Sequence, residues 1–201
     1  MSRPPRRRFD ARYYARFYGD EERGVEDPAQ RRRLVRFVLA YLDFLGVEVG
    51  EVLDLGCGLG AWGRHLAELA PSVRYRGVER SAYACRRGGF EQGSVVDYPG
   101  PGADLVVCQG VLQYLVDEEA AAAIDNLGRL ARGALYLEVL TRRDWLEVCD
   151  RRRTDGRVHL RPEAWYRTRL ERHFVPVGGG LFLPQEAAEG LYALEKCPTQ
   201  G

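Results

Sequence analysis

Three glycines at alternate positions have the spacing most suggestive of chemistry in this sequence. Gly56, Gly58 and Gly60 lie between an apolar segment over 51–56 and an amphipathic segment that begins at Ala61. Because glycine has no Cβ atom, a ligand can lie against its main chain, and glycine adopts dihedral angles that other residues resist. The N–H groups at the start of the following helix face the same ligand. The pattern therefore predicts a strand–loop–helix turn that binds a ligand through its main chain.

Two carboxylates accompany this loop. Asp54 lies near the carboxyl end of the strand predicted over 51–56, where a negative charge favours a cationic group over a pyrophosphate. Glu79 ends a second predicted strand, over 75–79, and a carboxylate there can accept hydrogen bonds from both hydroxyls of a ribose. Asp54 thus argues against a pyrophosphate, and Glu79 indicates a ribose.

The elements that must position these residues alternate between strand and helix. Predicted strands cover 51–56, 75–79, 90–96, 103–109 and 133–140, and predicted helices cover 9–19, 29–45, 61–70, 81–88, 117–131 and 162–173. The alternation predicts an α/β fold with a Rossmann-like, doubly wound and mostly parallel sheet. The segments 174–184 and 190–196 have no helix between them, so we expect an antiparallel C-terminal hairpin at one edge and seven strands in all.

Composition excludes several classes of protein. The chain has 201 residues, of which 45% are apolar and 29% charged, as is usual for a folded domain with one core. Its longest apolar runs are far shorter than a membrane span, and the start MSRPPRRRFD does not resemble a secretory signal. The five cysteines include no C-x-x-C pair, so we expect no metal site, no disulfide framework and a cytoplasmic location.

The charge balance indicates no particular partner. The formal net charge is +1, and arginine clusters occur throughout the chain, so they are discounted as an electrostatic signal. We therefore expect neither a membrane nor an obligatory nucleic-acid partner, and the sequence does not indicate an oligomeric state.

The segment DLGCGLG at 54–60 resembles the first motif of class I S-adenosylmethionine-dependent methyltransferases, and the likeness continues in order from about residue 50 to 140. The resemblance implies that Gly56, Gly58 and Gly60 pack against the methionine part of S-adenosylmethionine and that Asp54 helps to hold it. It also implies that Glu79 is the acid that binds the ribose.

Two later segments are similar to further motifs of the family. GSVVDYP at 93–99 is similar to the third motif, which implies adenine contacts from Ser94 and from the backbone of Val95. ADLVVCQGVLQYL at 103–115 is similar to the fourth motif, which implies that the backbone at Gln109 approaches the methionine end of the cofactor. Tyr114 stands where the family usually has His.

The substrate side is predicted from position and residue type. Ligands of open α/β sheets bind beyond the carboxyl ends of the strands, and three segments could cover that edge: the aromatic helix over 9–19, the end of the fourth motif and the polar connector 141–161. The candidate acceptor-binding residues on them are Tyr14, Tyr18, Gln113, Arg153, His159 and Arg161. His159 and Tyr114 are candidate acid/base groups, although methyl transfer does not require one.

These inferences predict one domain over 9–201 behind a disordered basic tail, 1–8. Helices over 9–46 would cap the cofactor, residues 47–140 would bind it, and residues 141–201 would supply the connector, a helix and the hairpin. The expected reaction is methyl transfer to an unidentified acceptor, more plausibly a small molecule than a protein or nucleic acid, with S-adenosylhomocysteine as the product.

Two alternatives stay open. Gly58, Gly60 and Gly63 fit the dinucleotide pattern G-x-G-x-x-G, which would indicate an NAD(P)-dependent oxidoreductase. A cofactor-binding regulatory protein without transferase activity would have the same loop.

Overall fold

Seven strands and seven α-helices follow one another along residues 9–18, 27–193 and 195–197, the part of the chain described by a computed structural model. The strands are β1 (Glu51–Leu55), β2 (Arg74–Glu79), β3 (Glu91–Gln92), β4 (Ala103–Gln109), β5 (Ala131–Glu138), β6 (Phe174–Gly178) and β7 (Leu181–Pro184). The helices are α1 (Ala11–Tyr18), α2 (Pro28–Phe44), α3 (Ala61–Leu69), α4 (Ala82–Gly88), α5 (Asp117–Leu130), α6 (Arg142–Glu147) and α7 (Glu163–Leu170). The predicted tail over 1–8 lies outside the described residues.

The strands form one sheet in the order β3-β2-β1-β4-β5-β7-β6. Strands β1 to β5 pair in parallel, whereas β7 pairs antiparallel with β5 and with β6. The predicted fold class, a mostly parallel seven-stranded sheet with an antiparallel edge, is confirmed. The strand order reverses between β1 and β4, and in open α/β sheets such a reversal opens a crevice at the carboxyl ends of the two strands.

The hairpin differs in detail from its prediction. Both of its strands come from the segment 174–184, where Gly178, Gly179 and Gly180 adopt φ values of 91°, 60° and 79° and reverse the chain. Only glycine adopts such angles readily, so three in succession make a turn where the apolar pattern indicates one long strand. The prediction of a strand over 190–196 is wrong, because its described residues form turns and bends; Leu194 lies outside the description.

Helices cover both faces of the sheet. On one face, α2 and α3 pack against β1, β4 and β5 through a buried cluster that includes Val38, Leu42, Trp62, Leu105 and Tyr136. On the other, α5 and α7 pack against the same strands through a cluster that includes Val106, Ile124, Leu127, Leu135 and Tyr166. Because both faces are covered, the central strands consist mainly of consecutive apolar residues, and polar groups concentrate at the strand ends.

The two faces of α2 allow a direct test of this packing. Leu42 is fully buried, whereas Phe44, two residues later on the same helix, is 71% exposed. We expect Leu42→Ala to lower the free energy of unfolding by about 2–5 kcal/mol, because it leaves a cavity in the core. The matched control Phe44→Ala should lower it by less than about 1 kcal/mol. Urea denaturation measures both, and equal losses would contradict the packing of α2.

Candidate functional site

The loop after β1 is a left-handed turn made by glycines. Gly56, Gly58 and Gly60 have φ values of 83°, 57° and 75°, and Gly60 caps the amino terminus of α3. The N–H groups of Gly56 and Cys57 donate to the carbonyl oxygen of Val78, at 2.8 and 3.2 Å, which ties the loop to β2. The sequence therefore places glycine where the backbone turns into the region that other residues avoid.

The three glycines serve different purposes. A Cβ atom at Gly56 would overlap the side chain of Val111, and one at Gly60 would overlap the ring of Phe90, so these two positions are needed for packing. At Gly58 the nearest side-chain atom to an added Cβ is Cε1 of Tyr14, at 4.0 Å. Gly58 therefore leaves open the space that a side chain would fill, in the cleft described below.

Gly63, the last glycine of the dinucleotide pattern, lies within α3. A Cβ atom there would lie 2.6 Å from Cε1 of Tyr75 on β2. Close packing of helix against strand therefore accounts for this glycine without a dinucleotide.

Glu79 is the buried carboxylate of the site. Its side chain is 7% exposed, and its two oxygens accept the N–H groups of Gly58, at 3.0 Å, and of Ser81, at 2.7 Å. Burial raises the pKa of Glu79, and the N–H donors offset part of that rise. Each carboxylate oxygen has a second acceptor position, so the group can accept two further hydrogen bonds from hydroxyls.

Asp54 lies behind the loop and is 2% exposed. It accepts a hydrogen bond from the Tyr75 hydroxyl at 2.8 Å, and burial together with this carboxylate raises the pKa of Tyr75. Asp54 thus joins the end of β1 to β2 through Tyr75 and does not contribute to the lining of the cleft.

A cleft of about 660 Å³ opens beside these groups, at the carboxyl ends of the strands. The predicted site residues that line it are Tyr14, Tyr18, Gly56, Gly58, Glu79, Ser94, Val95, Gln109 and Tyr114. The lining also includes Phe9, Arg80, Val111 and Leu115, which the sequence analysis did not single out. Arg80 and Val111 could have been found from their places beside Glu79 and within the fourth motif, whereas the position of Phe9 depends on contacts distant in sequence.

The residues of α1, together with Phe9 just before it, form one wall of the cleft. Phe9 accepts a short hydrogen bond from the Ser81 hydroxyl through its carbonyl oxygen, and Tyr14 stacks on Tyr83 with ring centroids 5.6 Å apart. The hydroxyls of Tyr13 and Tyr114 lie 3.1 Å apart and share a hydrogen bond. Aromatic packing and these polar contacts hold α1 against the loop and against the segment after β4.

Gln109 is held by a short chain of hydrogen bonds at the end of β4. Its Oε1 atom accepts from the Trp62 indole at 2.9 Å, and its Nε2 atom donates to Glu138 at 3.0 Å. Glu138 also accepts from the Tyr136 hydroxyl at 3.1 Å. The side-chain amide of Gln109 is therefore oriented by its neighbours, next to the cleft.

The remaining predicted residues do not line this cleft. Gln113 is buried, and its main-chain carbonyl oxygen accepts a hydrogen bond from the main-chain N–H of His159 at 2.8 Å. His159 and Arg153 are exposed on the connector. Arg161 is 4% exposed and donates hydrogen bonds within the protein. The connector therefore packs on the turn after β4, which the sequence could not indicate.

A second cavity, of about 1090 Å³, lies between α7 and the hairpin. Its walls include Leu170, Phe174 and Phe182, with Glu163 and Arg167 among its charged residues. It contains no residue of the glycine loop, so the first cleft is the better candidate for the ligand that the loop indicates.

The comparisons with known proteins agree with this geometry. Residues 53–133 match a family model described as a methyltransferase domain. This range begins in β1 and ends in β5, so it contains the glycine loop, Glu79 and the turn after β4. No curated protein is significantly similar to the chain in sequence.

Solved structures with the same fold include several methyltransferases. The PH0226 protein from Pyrococcus horikoshii OT3 is 15% identical, with a TM-score of 0.67 over 87% of this chain and 99% of that one. Magnesium protoporphyrin IX methyltransferase (ChlM) from Synechocystis PCC 6803, with bound SAM, is 22% identical, with a TM-score of 0.55 over 83% and 86%. The plantazolicin methyltransferase BamL, in complex with a triazolic desmethylPZN analog and SAH, is 17% identical, with a TM-score of 0.60 over 76% and 64%.

Two further properties concern the described residues alone. None of their helices combines the length and the apolar character needed to span a membrane. They also contain no group of three His, Cys, Asp or Glu side chains arranged to hold a metal ion.

The raised pKa of Glu79 predicts a pH dependence of stability. Because the folded protein holds the Glu79 proton more tightly than the unfolded chain does, the associated stability is fully present below about 4.5 and is lost as pH rises through the raised value. We therefore expect the unfolding free energy of wild type, relative to Glu79→Ala, to increase as pH falls from neutral towards 4.5. Denaturant titrations at several pH values measure it, and a constant difference would contradict the prediction.

Proposed function

We propose that this chain, whose residues 53–133 match the model of a methyltransferase domain, is a class I S-adenosylmethionine-dependent methyltransferase that transfers a methyl group to a small-molecule acceptor. One observation carries the proposal. Gly58 leaves its Cβ space open in the cleft, and its N–H contacts the buried Glu79 carboxylate at 3.0 Å. The bare main chain of Gly58 therefore lies beside the carboxylate of Glu79, which is suited to accept hydrogen bonds from ribose hydroxyls.

The residues of the cleft fit the parts of S-adenosylmethionine. Glu79 would accept the ribose hydroxyls, Ser94 and Val95 would border the adenine, and the main chain at Gly58 and Gln109 would border the methionine part. When bound, the cofactor supplies an electrophilic methyl group on a positively charged sulfur. The two loop glycines packed against Val111 and Phe90, and Asp54 through its hydrogen bond with Tyr75, would keep the loop in the required conformation.

The chain's own residues would act by placement. A methyl transfer needs the acceptor atom in line with the bond that breaks, and it needs water excluded. The wall formed by α1 would exclude water, since Tyr14 is 5% exposed and lines the same cleft as Gly58. Tyr114, which lines the same cleft, would contact the acceptor.

The same proposal extends to the domain organisation, the compartment and the acceptor. The helices over 9–46 would cap the cofactor, residues 47–140 would bind it, and residues 141–201 would form the substrate side of one domain. All five cysteines are free, which suits a reducing compartment, and we place the protein in the cytoplasm. A small-molecule acceptor is supported by two similar structures named as methyltransferases of plantazolicin and of magnesium protoporphyrin IX.

Cofactor binding is tested with glycine variants matched for backbone strain. Gly58 and Gly46 both have positive φ, at 57° and 75°, but a Cβ atom at Gly46 meets nothing within 4 Å, and Gly46 does not line the cleft. We expect Gly58→Ala to weaken binding of S-adenosylhomocysteine about tenfold or more, because the methyl group enters the cofactor space. Gly46→Ala should bind like wild type. Calorimetry measures both affinities.

Thermal unfolding with each cofactor separates the alternatives, and the calorimetry tests the loop. A wild-type protein that is stabilised against heat by NADH and not by S-adenosylmethionine would be a dinucleotide-dependent enzyme. Equal affinities of Gly58→Ala and Gly46→Ala would remove the glycine loop from the site.

Transfer itself is tested with S-adenosylmethionine labelled in the methyl group. We expect purified protein to transfer the label to small molecules of a cell extract other than S-adenosylmethionine itself, and not to the protein or nucleic-acid fractions. Glu79→Ala should reduce that label, since losing the hydroxyl partners costs about 1–3 kcal/mol of binding. A protein that binds the cofactor but labels no fraction would be a regulatory protein.

A further inference from the structure

Arg161 is a buried cation whose contacts lead from the connector to the wall of the cleft. Its guanidinium donates to Asp117 at 2.7 Å, to the carbonyl oxygens of Leu112 at 3.2 Å and Leu115 at 2.5 Å, and to the Tyr166 hydroxyl at 3.0 Å. A buried charge is stable only where such partners replace water. The planar fork of arginine holds several oxygens in fixed directions, which a lysine ammonium does not.

The two carbonyl oxygens flank Tyr114. A 3₁₀ turn, Leu112–Tyr114, follows β4, and Leu115 comes directly after it. The Tyr114 hydroxyl shares its hydrogen bond with Tyr13 on α1, and its ring packs edge-on against Phe9 with centroids 5.3 Å apart. Arg161 therefore fixes both ends of the turn that joins the sheet to the aromatic wall.

We propose that Arg161 is a positioning residue of the methyltransferase site. It holds the turn Leu112–Tyr114 so that the Tyr114 hydroxyl meets Tyr13 and α1 closes over the cleft. This role differs from the acceptor binding predicted from sequence, because the guanidinium is turned into the protein. The proposal rests on the proposed function for the identity of the ligand, whereas the effect of Arg161 on α1, through the turn and the Tyr114–Tyr13 contact, is tested without any ligand.

Arg76 provides a matched control. It donates to the same kinds of partner: a carboxylate, Glu51, at 3.0 Å, a tyrosine hydroxyl, Tyr98, at 3.2 Å, and the carbonyl oxygens of Pro101 and Gly102 at 2.9 and 3.2 Å. Arg76 lies on β2, with its partners towards the amino-terminal edge of the sheet. Arg76→Lys should therefore remove similar hydrogen bonds without reaching the turn or α1.

Hydrogen exchange of the ligand-free, full-length protein tests the positioning directly. We expect Arg161→Lys to speed amide exchange in α1 and in the turn Leu112–Tyr114 about five- to tenfold, and Arg76→Lys to leave both unchanged. Unchanged exchange in α1 of Arg161→Lys, or equal acceleration in both variants, would overturn the proposal. If Arg161→Lys does not fold, Asp117→Asn removes the charge from one partner, and it should speed exchange in the same two segments; no change there would also overturn it.

A second measurement follows the effect to the ligand. The dissociation rate of S-adenosylhomocysteine is compared in Arg161→Lys, Tyr114→Phe and the double variant. Each single change should speed dissociation about fivefold, and the double variant should be no faster than the faster single one, because both act through the same contact. Additive effects, or an unaffected Arg161→Lys, would overturn the positioning role. A wild type that fails to bind this ligand would overturn the proposed function and leave the exchange result standing.

Discussion

The hydrogen bond from the Gly58 N–H to the Glu79 carboxylate is the interaction on which the arrangement of the site depends. It is possible because β1 and β2 pair in parallel with Leu55 opposite Val78, so the loop after one strand emerges beside the end of the other. The N–H groups of Gly56 and Cys57 continue that pairing to Val78 beyond the end of β1. Left-handed glycines then let the main chain approach a carboxylate that burial would otherwise make costly.

The parallel part of the sheet could be predicted from the sequence because its signal is local. A strand covered on both faces consists of consecutive apolar residues, as in β4, most of whose residues are buried. The hairpin could be predicted only in outline. The pairing of β7 with β5 is a long-range contact that no local pattern predicts. In addition, three glycines within the apolar run of 174–184 make the turn. Sequence therefore indicated an antiparallel edge but not the position of its turn.

The predictability of the site divides in the same way. Glu79 and Gln109 end strands and Gly58 lies three residues after β1, so the order of elements alone brings them to one edge and into one cleft. In the connector, the sequence gives only the residue types. It does not distinguish a polar side chain that faces a ligand from one that faces the protein interior. Arg161 illustrates this, because its partner Asp117 lies 44 residues earlier in the chain and could not be inferred. Aromatic content did indicate a role for α1, but not its contacts with Ser81 and Tyr114.

Arg76 and Arg161 form similar hydrogen-bond networks, but the networks have different effects because they lie at opposite edges of the sheet. Each guanidinium joins a carboxylate, a tyrosine hydroxyl and two carbonyl oxygens, so each ties together segments that are distant in the chain. Ligands of such sheets bind at the carboxyl ends of the strands. The network of Arg76 at the amino-terminal edge therefore lies away from the turn after β4, whereas the network of Arg161 holds the turn whose Tyr114 lines the cleft. Arg161 is also the more buried of the two, with its side chain 5% exposed against 27% for Arg76, but the strand end that each arginine serves decides whether its network reaches the cleft.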